Sequence, residues 1–105
     1  MKLQNIYSAI PKNLEHEIFE QLANNIAVTI ERIISNGQKS PKSGWYDQEK
    51  NEWILVLKGK AILSFEDKSS IYLNEGDFIT IPAHKKHKVA WTDPDHKTIW
   101  LAVHY

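Results

Sequence analysis

The alternation of apolar and polar residues predicts a series of short strands after residue 25. Ile26, Val28 and Ile30 alternate with Ala27, Thr29 and Glu31, and a period of two is typical of a half-buried strand. Beyond Gly44, apolar segments recur between turns rich in Asn, Asp, Gly, Ser or Pro. The strands predicted there span residues 53–58, 61–66, 71–73, 78–81, 87–91 and 98–104. Many short strands at this spacing favour a β-sandwich or barrel over residues 25–104.

One segment before these strands follows a different period. Over residues 13–23 the apolar side chains stand at helical spacing, and Asn13 suits an N-cap. The pattern predicts a short amphipathic helix that lies against a wall or an end of the barrel. The apolar residues of this segment are Leu14, Ile18, Phe19 and Leu22.

Composition narrows the function classes. With 105 residues the chain fits one domain, residues 1–105, and 13 basic residues balance 13 acidic ones. We therefore expect no nucleic-acid partner, because binding phosphates needs a surplus of Lys and Arg. No cysteine is present, so disulfides and thiolate metal sites are excluded. Neither a signal peptide nor a membrane-spanning segment of roughly 20 apolar residues is recognisable, and we expect a cytoplasmic protein.

Two spaced motifs occur in order between residues 52 and 87. The first is Glu52, six residues and Gly59; the second is Gly76, five residues, Pro82 and then His87. Together they resemble the two motifs of the cupin family over roughly residues 44–91. The resemblance implies an all-β, cupin-type jelly-roll β-barrel, here with a short N-terminal helix.

The first motif departs from the family pattern where a His-x-His pair usually stands. With a three-residue gap before Glu52, Tyr46 and Gln48 take the two histidine positions, and with a four-residue gap Trp45 and Asp47 take them. In the second motif, His84 replaces a glycine and Trp91 replaces an asparagine.

The resemblance implies a divalent metal ion, Zn, Fe, Mn or Ni, inside the barrel. It makes Glu52 and His87 ligands, and Gln48 and His84 complete the predicted set. Imidazole, carboxylate and amide groups suit these metals. A competing interpretation is that a hydrogen-bond network with Gln48 and a tryptophan indole satisfies Glu52 without a metal.

A small-molecule pocket is predicted around the same site. Its expected wall consists of Tyr46, Asp47, Trp91 and His104, of which Asp47 and His104 are alternative metal ligands. Two functions follow: a metal-dependent enzyme such as a dioxygenase, isomerase or lyase, with Tyr46 or His84 as proton donor, or a non-catalytic binding module. The resemblance also implies a homodimer, since Trp53 and its alternating neighbours would form an apolar outer face.

Overall fold

The computed structural model describes residues 1–105 and contains strands but no helix. Every strand predicted beyond Gly44 is present, with ends that differ by one residue at most. The strands are β1 (Ile18–Asn24), β2 (Thr29–Ser35), β3 (Glu52–Lys58), β4 (Ala61–Phe65), β5 (Ser70–Leu73), β6 (Phe78–Ile81), β7 (His87–Thr92) and β8 (Thr98–His104).

The strands form two antiparallel sheets. One has five strands in the order β1-β2-β8-β3-β6, and the other has three in the order β5-β4-β7. Strands that are distant in the chain are neighbours in the sheet, as when β8 lies between β2 and β3. The predicted all-β, cupin-type architecture is confirmed.

The predicted helix over residues 13–23 is wrong, because residues 18–24 form β1. Ile18 pairs with Ile34 and Phe19 pairs with Ile33 across the β1–β2 hairpin. Those apolar pairs join residues 14 or more positions apart, and such cross-strand contacts outweigh the helical spacing of a short segment.

The strand predicted from residue 26 begins later than expected, at Thr29. Ile26 is fully exposed in the turn between β1 and β2. The Asn25 side-chain oxygen accepts hydrogen bonds from the Ala27 and Val28 backbone N–H groups, both at 2.8 Å. These bonds form a local turn over residues 25–28, and β2 starts immediately after it, at Thr29.

The core lies between the two sheets. In β3, Glu52, Ile54 and Val56 are buried while the residues between them are half-buried, as the sequence alternation predicts. Trp100 on β8 is also buried, and its indole N–H donates to the Ser35 hydroxyl at 3.1 Å. The outward face of β3 presents Trp53, Leu55 and Leu57.

Gly59 closes the turn between β3 and β4, where no other residue fits. Its φ is +92°, in the left-handed region that favours glycine. A Cβ at this position would lie 2.5 Å from Thr98 Oγ1 and 2.7 Å from Thr98 Cα. The glycine of the first motif therefore allows β8 to approach the turn closely.

Candidate functional site

A cavity of about 80 Å³ lies between the sheets at one end of the barrel. One buried water needs roughly 10–15 Å³, so the cavity can hold several waters or a small organic molecule. Its apolar wall includes Ile33, Ile54, Leu63 and Trp100. The polar side chains that line it are Glu17, Glu31, Tyr46, Gln48, Glu52, His87 and His104.

Strand register brings three of these residues to the same end. Glu52 begins β3 and pairs directly with His104 near the end of β8, so their side chains share the inward face. His87 begins β7 in the opposite sheet. The two motifs thus contribute one residue from each sheet to the cavity.

Glu52 and His87 form a buried pair. His87 Nε2 lies 3.3 Å from Glu52 Oε1, and the two side chains are 6% and 8% exposed respectively. The other ring nitrogen, Nδ1, donates to the Lys85 carbonyl at 2.8 Å. Burial by itself disfavours the imidazolium, but the hydrogen bonds to Glu52 and Lys85 and the Glu52 charge outweigh it, so the pKa of His87 is raised.

A second imidazole–carboxylate pair lies beside the first. His104 Nε2 is 2.9 Å from Glu31 Oε1 and 3.9 Å from Glu52 Oε2. Glu52 therefore lies between two imidazoles, and imidazole–carboxylate pairs are groups commonly used for proton transfer.

The loop in which the first motif departs from the family pattern contributes Tyr46 and Gln48 to the cavity lining. The backbones of Tyr46 and His87 exchange hydrogen bonds at 2.8 and 3.2 Å, and the His84 N–H donates to the Gln48 carbonyl at 2.8 Å. These bonds hold the loop against the start of β7. The Gln48 side chain lines the cavity, but its Oε1 atom is buried without a hydrogen-bond partner, which is costly.

Three of the predicted site residues lie outside the cavity. His84 Nδ1 is 2.8 Å from Asp47 Oδ1 in a pair whose side chains are 67% and 42% exposed. His84 has a φ of +62°, and this turn holds its backbone away from the strand conformation. Trp91 lines a separate surface groove with Ile62 and Tyr72. The cavity thus collects Tyr46, Gln48, Glu52, His87 and His104 of the predicted set, but not His84, Asp47 or Trp91.

The sequence analysis missed Glu17 and Glu31. Glu17 precedes β1, and its Oε2 accepts from the Ser35 hydroxyl at 2.9 Å. Glu31 lies on the inward face of β2 together with Ile33. Glu31 could have been found from Ile33, because residues two positions apart in a strand face the same side and Ile33 is buried. Ile26, which belongs to the opposite alternation, is exposed.

The carboxylate and imidazole groups at the cavity are of the kinds that bind divalent ions. Two of them, Glu52 and His87, are separated by a distance that suits two ligands of one ion. The 3.3 Å between His87 Nε2 and Glu52 Oε1 exceeds the 2.7–2.9 Å typical of charge-assisted N–H···O bonds. It is close to the edge of about 3.4 Å made by two ligands 2.0–2.1 Å from a tetrahedral ion. The Gln48 oxygen is buried and does not add a third ligand as it is placed. No group of three or more His, Asp or Glu side chains is placed to hold a metal ion.

Comparison with known proteins assigns the family. The family model described as Cupin domain matches residues 33–104, so the chain belongs to the cupin family. A search of curated proteins found no match. No helix of the structure could cross a membrane.

Solved structures share this fold over most of their length. A "putative mannose-6-phosphate isomerase" from Ralstonia eutropha JMP134 is 43% identical, with a TM-score of 0.94 over 99% of this chain and 97% of its own. A cupin superfamily protein from Desulfitobacterium hafniense DCB-2 is 21% identical, with a TM-score of 0.74 over 90% and 82%. An RmlC-like cupin from Methanocaldococcus jannaschii is 19% identical, with a TM-score of 0.70 over 90% and 84%.

Proposed function

We propose that this cupin binds a small organic molecule together with a divalent metal ion in the cavity between its sheets. The observation that supports this most directly is the convergence of the buried Glu52–His87 pair and His104 on one cavity. Ionisable groups that are buried, paired and gathered at a cavity are typical of binding and active sites.

The metal ion would be held by Glu52 and His87, and Gln48 would become an oxygen ligand by rotation of its side chain toward the cavity that it lines. The Lys85 carbonyl accepts from His87 Nδ1 and thereby orients Nε2 into the cavity, as outer partners of metal-binding histidines commonly do. When bound, the ion would supply a Lewis acid that polarises an oxygen of the organic molecule. With so few preplaced ligands, its affinity should be lower than that of a site with a full set of protein ligands, though sufficient to survive purification.

A metal-free binding module is the second candidate. It is favoured by the pairing of each imidazole with a carboxylate, His87 with Glu52 and His104 with Glu31, which leaves no third ligand preplaced. In that case the Glu52–His87 pair is retained as a proton-carrying, hydrogen-bonded pair that recognises the organic molecule directly.

Metal content separates the two candidates. Protein purified without a metal-affinity step should contain close to one divalent ion per chain by elemental analysis, and His87→Ala should lose it. His96→Ala is the matched control, because His96 is exposed, pairs with the Asp93 side chain and does not line the cavity. Sub-stoichiometric metal in the wild type that His87→Ala leaves unchanged would reject the metal site, and circular dichroism would show whether the variant is folded.

The isomerase name of the Ralstonia neighbour suggests one reaction class. An aldose–ketose isomerisation moves a proton between adjacent carbons, and His87 and His104 lie on one cavity with carboxylates beside them. These groups are suited to such proton transfer. A sugar isomerase assay would therefore be the first activity to examine.

We also propose that the chain forms a homodimer through the outer face of the five-stranded sheet. Trp53 pairs with Val103, and Leu55 pairs with Leu101 and Phe78 on that face, where Phe78 is 64% exposed. A continuous apolar strip of this kind favours contact with another protein surface. A second copy of the same sheet would cover it.

A further inference from the structure

The outer face of the three-stranded sheet carries an open groove of about 430 Å³, separate from the cavity between the sheets. Ile62 on β4 lies at its centre and pairs with Tyr72 on β5 on one side and with Trp91 on β7 on the other. Tyr72 is 73% exposed and Trp91 is 38% exposed. Two large aromatic rings with an aliphatic side chain between them therefore form one row across three strands, on a surface open to solvent.

A β-bulge in β7 shapes this groove. The register of β4 with β7 shifts between Ile62 and Leu63, so that Ala90 is an extra residue between Val89 and Trp91. Both Ala90 and Trp91 line the groove, although consecutive residues of a regular strand face opposite sides. Bulges re-aim side chains and are frequent at sheet edges and next to functional sites. This bulge places a small residue beside the exposed indole, which keeps the surface concave.

The spacing of the two rings matches the repeat of a polyproline II helix. Tyr72 and Trp91 lie two strands apart in the order β5-β4-β7. Neighbouring strands are about 4.8 Å apart, which separates the two positions by about 10 Å. A polyproline II helix rises about 3.1 Å per residue, so side chains three positions apart are separated by about 9.3 Å. Each ring can therefore contact one of two prolines at positions i and i+3, with the residues between them over Ile62.

The polar groups of the groove complement such a peptide. A polyproline II helix has no internal hydrogen bonds, so its carbonyl groups are free to accept. The Tyr72 hydroxyl, the Trp91 indole N–H and the Asn74 amide are donors on the groove wall. Lys60 is the one charged residue of the lining, which contains no Asp or Glu. The groove therefore favours a peptide with an acidic residue beside its prolines.

Two other occupants fit the groove less well. A second copy of the chain needs roughly 800 Å² on each side of a stable interface, whereas this face consists of the outward residues of three strands that are four to six residues long. A nucleic-acid single strand also stacks on aromatic rings, but its backbone needs a positively charged groove. Lys60 alone supplies positive charge to this lining.

We propose that the groove binds a proline-rich segment of another protein, with prolines at positions i and i+3 against Tyr72 and Trp91 and an acidic residue near Lys60. Such segments dock into aromatic-lined grooves because the polyproline II helix is preformed and loses little entropy on binding. The groove lies on the opposite face of the three-stranded sheet from the cavity, so the proposal does not depend on what the cavity holds. It also gives a role to Trp91, which lies outside the cavity.

The test titrates the protein into short fluorescent peptides and measures their polarisation. The first peptide has two prolines three positions apart and a glutamate beside one of them, and it should bind saturably. The second has lysine in place of the glutamate and should bind at least about twofold more weakly, because exposed ion pairs contribute little. The third has glycine in place of both prolines and should not bind.

Two variants of the groove identify the site. Trp91→Ala should weaken binding of the first peptide about tenfold or more, because buried aromatic anchors dominate the energy of an interface. Tyr72→Ala should weaken it as well, and removal of so exposed a side chain leaves the core intact. Tyr105→Ala is the control, because Tyr105 is exposed and does not line the groove, and it should bind as the wild type does.

Several outcomes would overturn the proposal. One is equal binding of the proline and glycine peptides, and another is binding that Tyr72→Ala and Trp91→Ala leave unchanged while both variants remain folded by circular dichroism. Absence of binding by the first peptide is a third. Cellotriose and oligodeoxythymidylate are tested as competitors of the first peptide, and binding of either one in the absence of peptide binding would assign the groove to a different class of ligand.

Discussion

The Glu52–His87 pair should show strong energetic coupling in the metal-free protein. At 3.3 Å the Coulomb attraction between two unit charges is about 5 kcal/mol at an effective dielectric constant of 20. Desolvation of both groups offsets much of it. A hydrogen bond to a charged group contributes about 1.5–3 kcal/mol net, so we expect a coupling free energy of about 2 kcal/mol.

A double-mutant cycle of Glu52→Gln, His87→Gln and the double variant measures this coupling from urea unfolding in the presence of a chelator. The pKa of His87 is raised in the folded protein, so its stabilisation is fully present below the unfolded value of about 6.5. It is lost as the pH rises through the raised folded-state pKa. The coupling should therefore be largest near pH 6 and should decline at about pH 9, where histidine is neutral.

The exposed Asp47–His84 pair provides a control with even shorter separation, 2.8 Å. Its coupling should fall within the 0–1 kcal/mol typical of surface pairs, about half the value for the buried pair or less. Additivity of Glu52→Gln and His87→Gln within about 0.5 kcal/mol at both pH values would refute the assignment of a charged, buried pair.

Three further changes follow from the structure. Gly59→Ala should destabilise the fold by about 2 kcal/mol or more in thermal unfolding, because its φ of +92° is unfavourable for alanine and the Cβ would clash with Thr98; an unchanged melting temperature would contradict this. Gln48→Leu should raise stability by about 1 kcal/mol, since it removes an unpaired buried acceptor; a lower melting temperature would contradict this. Leu55→Lys on the outer sheet face should convert a dimer to a monomer in light scattering, and a wild type that is already monomeric would reject the dimer.

Most of the barrel could be predicted because its signals are local. From β3 onward, turns rich in Gly, Asp and Pro separate short apolar strands. The spacing of Glu52, Gly59, Gly76 and His87 carries the family resemblance that implied the jelly-roll barrel. The N-terminal hairpin could not be predicted in the same way. Phe19 is placed by its cross-strand partner Ile33, and that long-range pairing leaves no mark on the local spacing, which favours a helix.

The candidate site could be predicted only in part for a similar reason. Motif spacing indicated Glu52 and His87, and strand phase indicated His104, all of which reach the cavity. His84 occupies a turn with a positive φ of 62°, and motif alignment carries no information on where such a turn directs a side chain. Glu17 reaches the cavity only because the segment before β1 lies beside Ser35.

Two of the three carboxylates of the cavity lie outside the matched family segment. The Cupin domain model begins at residue 33, whereas Glu17 and Glu31 come from the chain before it. The motifs therefore define the barrel and the Glu52–His87 pair, while the N-terminal segment supplies further carboxylates to the cavity wall. Because the charges of a binding site decide which partners it rejects, an activity should be transferred between cupins only after positions 17 and 31 have been compared.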